Sequence, residues 1–550
     1  MDNTYFNRTR PALPECPFGI RVDQAGYFPR MKKRAILTEK RDRFTVKSED
    51  GIVRYEGEVQ EIGFDPLSGD HVYAADFSAL TEPGTYCVFA DDLRSARFAI
   101  GENAYDKVFG DTVKSYYFLR CGCGLEERYA GEYRHAPCHC RPARLWENRG
   151  ISLDVSGGWH DAGDYGRYVT AGAVACAHLL YAYRLYPDAF REKERSIPED
   201  GLPAILSECR YELEWLMKMQ RADGAVYHKV TTERHAPFVM PEDDTAELYL
   251  FAPSSVAAAD LAAVCALAGE VCREYDEAFA ERLKTAALRS YEWLQKNPDF
   301  LGFTNPPECN TGVYGERDDL SNRFWAGAAL YALTGERRFH DDLARLLEKD
   351  FPRTSLGYGE VGGLGALAYL TACHKKERRI AEALKTAFLN EAEYYREIAD
   401  RTAYGAALRE GDFHWGSNMP VMQHGMIFLI ADRLLGEPRY REYAAAQLHY
   451  LLGANATGYS FVTGNGEFAY NHPHLRPAFA DGIDASIPGM VSGGPNRFPA
   501  DPDAKLLIPE GTPPMKCYAD DVGCYSLNEI TIYWNSPAVF VLAGLLGEGK

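Results

Sequence analysis

No stretch of this 550-residue chain approaches the roughly 20 consecutive apolar residues that a membrane-crossing helix requires. Positive charge is scarce: 60 Lys and Arg stand against 79 Asp and Glu, a formal net charge of -19. That balance argues against a polyanionic partner, because phosphate recognition needs clustered basic side chains. Neither nucleic acid nor a membrane is therefore expected as partner, and a monomer is expected. Cysteine is too dilute for a disulfide scaffold, with fourteen spread along the chain. Several (Cys176, Cys265, Cys373) lie in apolar helical stretches, where a reduced Cys is a small core residue. The opening segment from Met1 to Pro14 lacks the apolar centre of a secretory signal, so the chain as given reads as cytoplasmic unless a leader has been removed.

What is present is ample core material. Hydrophobic residues make up 46% of the chain, and its length predicts at least two domains. Between about Ile20 and Ile100 the pattern is short alternating strands and tight turns, such as Arg43 to Lys47 and Gly84 to Phe89, which predicts a small β-sandwich. After Gly101-Glu102-Asn103 the period becomes helical. About a dozen amphipathic stretches follow, from Tyr105 to Leu119 through to Pro537 to Leu546, without sequence repetition but of similar length, as a ring of helical hairpins would give. The division expected is residues 1–103 for the sandwich and 104–550 for the helical domain. Long Gly- and aromatic-rich segments, Gly302 to Asp319 and Ala454 to Tyr518, would gather at one mouth of that ring.

The stretch with the most chemistry is Gly157-Gly158-Trp159-His160-Asp161-Ala162-Gly163-Asp164-Tyr165-Gly166-Arg167-Tyr168. Two carboxylates three residues apart sit among four glycines just before a helix, so a sharply bent backbone can aim both into one space and hold a water for attack. A calcium loop or a helix N-cap would use the same residues. Two further stretches follow. One runs from Val462-Thr463-Gly464-Asn465-Gly466 to His474-Leu475-Arg476. The other is Tyr518-Ala519-Asp520-Asp521-Val522-Gly523-Cys524-Tyr525-Ser526-Leu527-Asn528-Glu529-Ile530-Thr531-Ile532-Tyr533-Trp534-Asn535-Ser536.

With these three motifs in this order, the sequence resembles glycoside hydrolase family 9, the inverting cellulases, over almost its whole length. The segment from Arg21 to Tyr27 resembles the start of that family's N-terminal immunoglobulin-like module. The resemblance implies a multidomain fold, an Ig-like β-sandwich followed by an all-α (α/α)6 barrel with an open cleft. It implies Asp164 as general base, Asp161 as the companion that helps hold the water, and Glu529 as general acid. Inversion requires the two carboxyls about 6.5–9.5 Å apart, with the acid kept protonated by burial or a neighbouring charge. Asp520 is the candidate neighbour, with loop capping as its alternative role. His474 and Arg476 match residues that hydrogen-bond the sugar, and on an extended segment the two would point to the same side. Leu475 departs from the family's usual triplet there. Trp415, Trp534 and Tyr525 are aromatic candidates for the cleft. Trp159 has a packing alternative, and Trp325, inside a helix, reads as core.

Cys121, Cys138, His139 and His160 form a Cys2His2 set suited to tetrahedral zinc, and resemble the structural zinc site of the Ig-bearing branch of the family. Zinc on His160 would pin Asp161 beside it. Cys123 and Cys140 are spare thiols that an oxidising setting could join. Calcium is the second candidate ion. Ser321-Asn322 stand where relatives carry an acidic pair, which weakens that site; Asp318 and Asp319, or Glu242-Asp243-Asp244, offer alternative oxygens.

The function expected is an inverting endo-β-1,4-glucanase acting on cello-oligosaccharides, soluble cellulose derivatives or mixed-linkage β-glucan. One alternative is an exo-acting β-glycosidase, of β-glucosidase or exo-β-glucosaminidase type, on short oligosaccharides. Another is a sugar-binding protein without catalysis, which would not need an acid and a base. A zinc hydrolase is disfavoured because four protein ligands leave no position for water.

Overall fold

The computed structural model describes residues 15–190, 197–198 and 200–547. The reading of Met1 to Pro14 as leader-free lies outside the described residues. Nine strands occupy Ile20 to Ile100. Expected as separate short pieces, they form one hydrogen-bonded sheet because a strand not foreseen in the sequence, β5 (Val53–Asp65), is long enough to serve two neighbours. Its first half pairs with β4 (Arg43–Ser48) and its second with β6 (Asp70–Asp76), with a register shift between Glu61 and Gly63 where the strand bends. Only Asp65 of β5 is buried, and the exposed Arg54, Glu56, Glu58, Gln60 and Glu61 interrupt its apolar residues, which hid it from a search for apolar alternation. The sheet folds over a core of Tyr27, Leu37, Phe44, Val46, Phe77, Val88 and Phe98.

Twelve long helices follow: α1 (Asp106–Phe118), α2 (Val169–Leu185), α3 (Ala204–Lys218), α4 (Ser255–Val271), α5 (Glu277–Lys296), α6 (Leu320–Thr334), α7 (Arg337–Leu346), α8 (Gly362–Thr371), α9 (Arg378–Arg401), α10 (Asn418–Leu435), α11 (Arg441–Leu451) and α12 (Ile532–Gly547). They alternate in character. α4 is rich in Ala and buried from Ser255 through Gly269, so it must lie inside. α5 buries only Phe279, Ala280, Leu283, Ala286, Ala287, Ser290, Tyr291 and Leu294, one stripe at helical spacing, so it lies outside. Ser254 and Asp276 cap the two by accepting from Ala257 N (3.1 Å) and Phe279 N (2.9 Å). The even-numbered helices form the inner ring and the odd-numbered ones the outer ring of six hairpins. Trp325 on α6 is fully buried, as expected of a core residue.

α12 starts five residues before the expected Pro537, which sits inside the helix. Pro is favoured at a first helical position, and that preference misplaced the boundary. Because all inner helices run the same way, the segments ahead of them converge at one end of the ring. A small five-stranded sheet there, in the order β11 (Ser152–Leu153), β10 (Ala143–Leu145), β14 (Tyr249–Leu250), β13 (Lys229–Thr231), β12 (Arg167–Tyr168), ties the first two of these segments together. Its two- and three-residue strands are too short to leave a periodic signal. The β-domain is fastened to α11 and to the sixth segment: Asp23 pairs with His449 of α11 (2.8 Å), and Gln24 Nε2 donates to Gly458 O (2.9 Å) of the segment.

Candidate active site

Five of the six converging segments supply the site's side chains. Asp161 and Asp164 come from the segment ahead of α2, His235 from that ahead of α4, Tyr314 from that ahead of α6, and Trp415 from that ahead of α10. His474, Arg476 and Glu529 come from the long segment ahead of α12. Backbone contacts lock the first to the last: Ala162 bridges Thr531, Ile532 N donates to Asp161 O (2.8 Å), Arg476 N donates to Gly163 O (3.2 Å), and His474 bridges Glu529. Gly163 is required by closeness, since a Cβ there would stand 2.0 Å from His474 O. Glu529 is thus brought to Asp161 and Asp164, although it lies hundreds of residues from them in the chain.

Their environments separate them. Burial alone would raise Asp164, but His235 (Nδ1 to Oδ2, 3.3 Å), Arg476 and the Gly166 N–H (3.0 Å) outweigh it and hold the carboxyl well below the usual range. Glu529 goes the other way: burial, then the charge of Asp164, push it well above an ordinary glutamate. Asp161 is also raised, by burial and then by Asp164; Tyr314 Oη donates to its Oδ2 at 2.5 Å, and its buried Oδ1 has no protein partner.

The remaining expected residues divide. His474 is half-buried and neutral, lowered to about 4 chiefly by burial; its Nδ1 donates to Val522 O (2.6 Å), which leaves Nε2 as an acceptor. Arg476 is not on an extended segment: it opens a short helix (Arg476–Ala480), and its guanidinium donates to Ala236 O (2.8 Å) and Gly163 O (2.5 Å), clamping two site segments. Asp520 is not the neighbour that raises Glu529. It accepts from Asn471 N and His472 N (both 2.8 Å) and acts as the loop cap. Trp534 cannot offer a ring face to a sugar: it is 4% exposed, because α12 starts early enough to carry it inward beneath Gly416. Trp159 is likewise buried, its indole donating to Glu208 (2.8 Å). Trp415 is 44% exposed and packs against Tyr525 (ring centroids 5.2 Å). From there rings continue through His474 (5.7 Å) and Phe238 (5.1 Å) to Phe479 (5.0 Å), so an aromatic file passes the acid.

Sequence reading missed His235, Tyr314, Phe238 and Phe479. They lie outside the three motifs, and the available signal was their place in the Gly- and Pro-bearing loops ahead of inner helices.

Cys121, Cys138, His139 and His160 form a candidate metal centre. All are buried, and their donor atoms lie within 4.8 Å of one another. His160 Nε2 stands 3.4 Å from His139 Nδ1 and 3.9 Å from Cys138 Sγ. Tetrahedral bonds of about 2.0–2.3 Å give edges of roughly 3.3–3.8 Å, so the set fits one small ion. His139 Nε2 meets Asp244 Oδ2 at 3.2 Å, an outer partner that orients the ring. Asp244 therefore serves this cluster and not the calcium loop considered for it. All fourteen cysteines are free, Cys123 and Cys140 included. Calcium fits poorly. Asn322 donates to Asp260 Oδ1 (2.8 Å), Asp319 is paired with Arg323 (2.8 Å), and Asp318 caps Leu320 N (3.0 Å). The partnerless carboxylate oxygens nearby are those of Asp260 and Glu316. Burial and then repulsion from Asp260 raise Glu316 to about 10.

A ring of helical hairpins whose mouth holds two carboxyls of opposed proton affinity beside a file of aromatic rings is the arrangement of a glycoside hydrolase. The sequence profile of Glycosyl hydrolase family 9 matches residues 105–542 and that of the Cellulase N-terminal ig-like domain residues 18–95. The chain belongs to glycosyl hydrolase family 9. It is 45% identical to a cellodextrinase of Butyrivibrio fibrisolvens, over 96% of this chain and 99% of that one. A single mutant of a thermostable endoglucanase from Alicyclobacillus acidocaldarius superposes with TM-score 0.90 at 36% identity, covering 96% of this chain and 100% of that one. A Zn-binding triple mutant of the family 9 endoglucanase J30 gives 0.89 at 34%, covering 95% and 100%.

Proposed function

We propose that this enzyme hydrolyses β-1,4-glucosidic bonds in cello-oligosaccharides, soluble cellulose derivatives and mixed-linkage β-glucan, with inversion at the anomeric carbon. The observation that carries the reading is the opposed proton affinity of two carboxyls brought together by the fold, Asp164 low and Glu529 high. Both contacts of Asp164 described above fall on Oδ2, so Oδ1 is the oxygen that activates water. Asp161 Oδ1, which has no protein partner, is left free to hold the same water in place. As the water attacks, Glu529 gives its proton to the glycosidic oxygen, and the leaving chain departs with a free hydroxyl. His474 Nε2 accepts from a sugar hydroxyl, and Trp415 and Tyr525 stack against pyranose faces. A relative of the same length is a cellodextrinase, which supports short soluble chains as substrates.

Zinc is the ion proposed for the Cys2His2 cluster. Its role is structural, since all four positions are taken, and the chain from His160 into Asp161 carries its rigidity to the site. The reading is tested with reducing-end-labelled cellotetraose to cellohexaose. Cleavage at internal bonds by the wild type, lost in Glu529→Gln, is expected. Release of single glucose units from one end alone would favour the exo-glycosidase alternative. Equal inactivity of both proteins with sugar binding retained would favour the binding-protein alternative.

A further inference from the structure

The inner ring is not uniformly closed. α12, α2, α4, α6 and α8 pack on one another in succession and α10 packs on α12, whereas α8 and α10 are joined chiefly through the outer helix α9. At that seam lies a cavity of about 200 Å³. That is room on the order of one sugar ring, and the cavity is open to solvent on one side. Its walls include Gly357 and Glu360 ahead of α8, Glu391 and Tyr395 on α9, and Gln423 and His424 on α10.

The lining chemistry is selective. No Lys or Arg faces the cavity and two carboxylates do, so an anion is repelled. Gln423 Nε2 is a buried donor with no partner, and Gly357 leaves the space before it open, since even an added Cβ would stop 3.7 Å away. His424 donates from Nδ1 to Ala407 O (2.8 Å), and burial keeps it neutral, at about 4. Its Nε2 is therefore an acceptor, and its ring is stacked on Tyr395 at 3.7 Å. An unpaired amide donor, carboxylate and imidazole acceptors, and a tyrosine ring together match a neutral polyol, whose hydroxyls both give and take hydrogen bonds. The cavity is also linked to the site: Tyr358, next to Gly357, contacts Tyr314 (4.8 Å) and Tyr533 (5.2 Å), and Tyr314 holds Asp161.

We propose that this seam pocket binds a single glucosyl unit of the substrate other than the two joined by the scissile bond, and so makes the enzyme discriminate by chain length. The proposal rests on the glucanase reading above. Its test is the ratio of kcat/KM on cellohexaose to that on cellotriose, in wild type, Gln423→Leu and the conservative Glu391→Gln. Loss of one charged or amide contact to a hydroxyl is expected to lower that ratio about tenfold in each variant, through KM on the longer chain. An unchanged ratio, whether or not both rates fall together, overturns the proposal. If the wild type cleaves neither oligosaccharide, the glucanase reading fails. The pocket is then judged by crystals soaked in methyl β-glucoside: a sugar between Tyr395 and Gln423 supports it, and a sugar elsewhere or none overturns it.

Discussion

Gly163 lies where the Asp161–Asp164 turn meets His474 and Arg476, and substituting it by Ala tests how tightly the two halves of the site are held. A Cβ at this position would lie 2.0 Å from His474 O, 2.9 Å from its Cδ2 and 3.0 Å from its carbonyl carbon. Ordinary contact begins near 3.4 Å, so the Asp161–Asp164 turn and the His474–Glu529 bridge must separate by about 1.4 Å. Strain of this kind in a packed interior costs about 1–3 kcal/mol of stability. A misplacement on the order of 1 Å between reacting groups costs about 100-fold in rate, near 2.7 kcal/mol of barrier. The assay is kcat on cellotetraose beside Tm. Gly163→Ala is expected to keep a folded transition while kcat falls about 100-fold. Gly411→Ala, where an added Cβ meets nothing within 4 Å, is the control and should behave as wild type. Wild-type kcat in Gly163→Ala at unchanged Tm would refute the reasoning.

Four other outcomes are expected. Arg476 lowers both Asp164 and Glu529, so in Arg476→Met both limbs of the pH profile of kcat/KM move to higher pH: the base takes up its proton at a higher pH, and the acid keeps its own to a higher pH. A profile that moves on one limb alone contradicts this. A strong zinc chelator lowers Tm on the order of 10 °C while surviving folded enzyme keeps its kcat, whereas a calcium-selective chelator leaves Tm unchanged; the reverse pattern by scanning calorimetry contradicts both metal readings. Lys229, lowered to about 8 chiefly by burial, donates to Asn305 Oδ1 (2.7 Å), Thr311 Oγ1 (2.9 Å) and Gly312 O (2.7 Å). Lys229→Met strands these buried acceptors, and denaturant unfolding should show a loss of about 1–3 kcal/mol. Trp415→Ala should raise KM on cello-oligosaccharides several-fold with little change in kcat, and an unchanged KM would remove Trp415 from the cleft.

Much of this arrangement was legible in the chain because it follows from local rules. Helical periodicity located all twelve barrel helices, and the glycines around Asp161 and Asp164 announced a bent loop with two acids. The metal cluster was legible because soft ligands crowd between Cys121 and His160. What was not legible depends on the company a residue keeps. Trp534 and Trp415 look equally able to stack on sugar, and only the early start of α12 puts the first inside. Arg476 seemed free for substrate until Gly163 and Ala236 claimed its donors. His235 and Tyr314 touch the two aspartates only because parallel inner helices bring unrelated loops to one end. β5 was hidden by its own charges.

The central claim is that Asp164 and Glu529 act as base and acid across one bond, with water entering opposite the leaving group. Proton NMR of product in the first minutes of cellotetraose hydrolysis tests it most directly. Newly formed reducing ends should appear as the α-anomer and only later mutarotate; fresh ends in the β configuration would contradict the account.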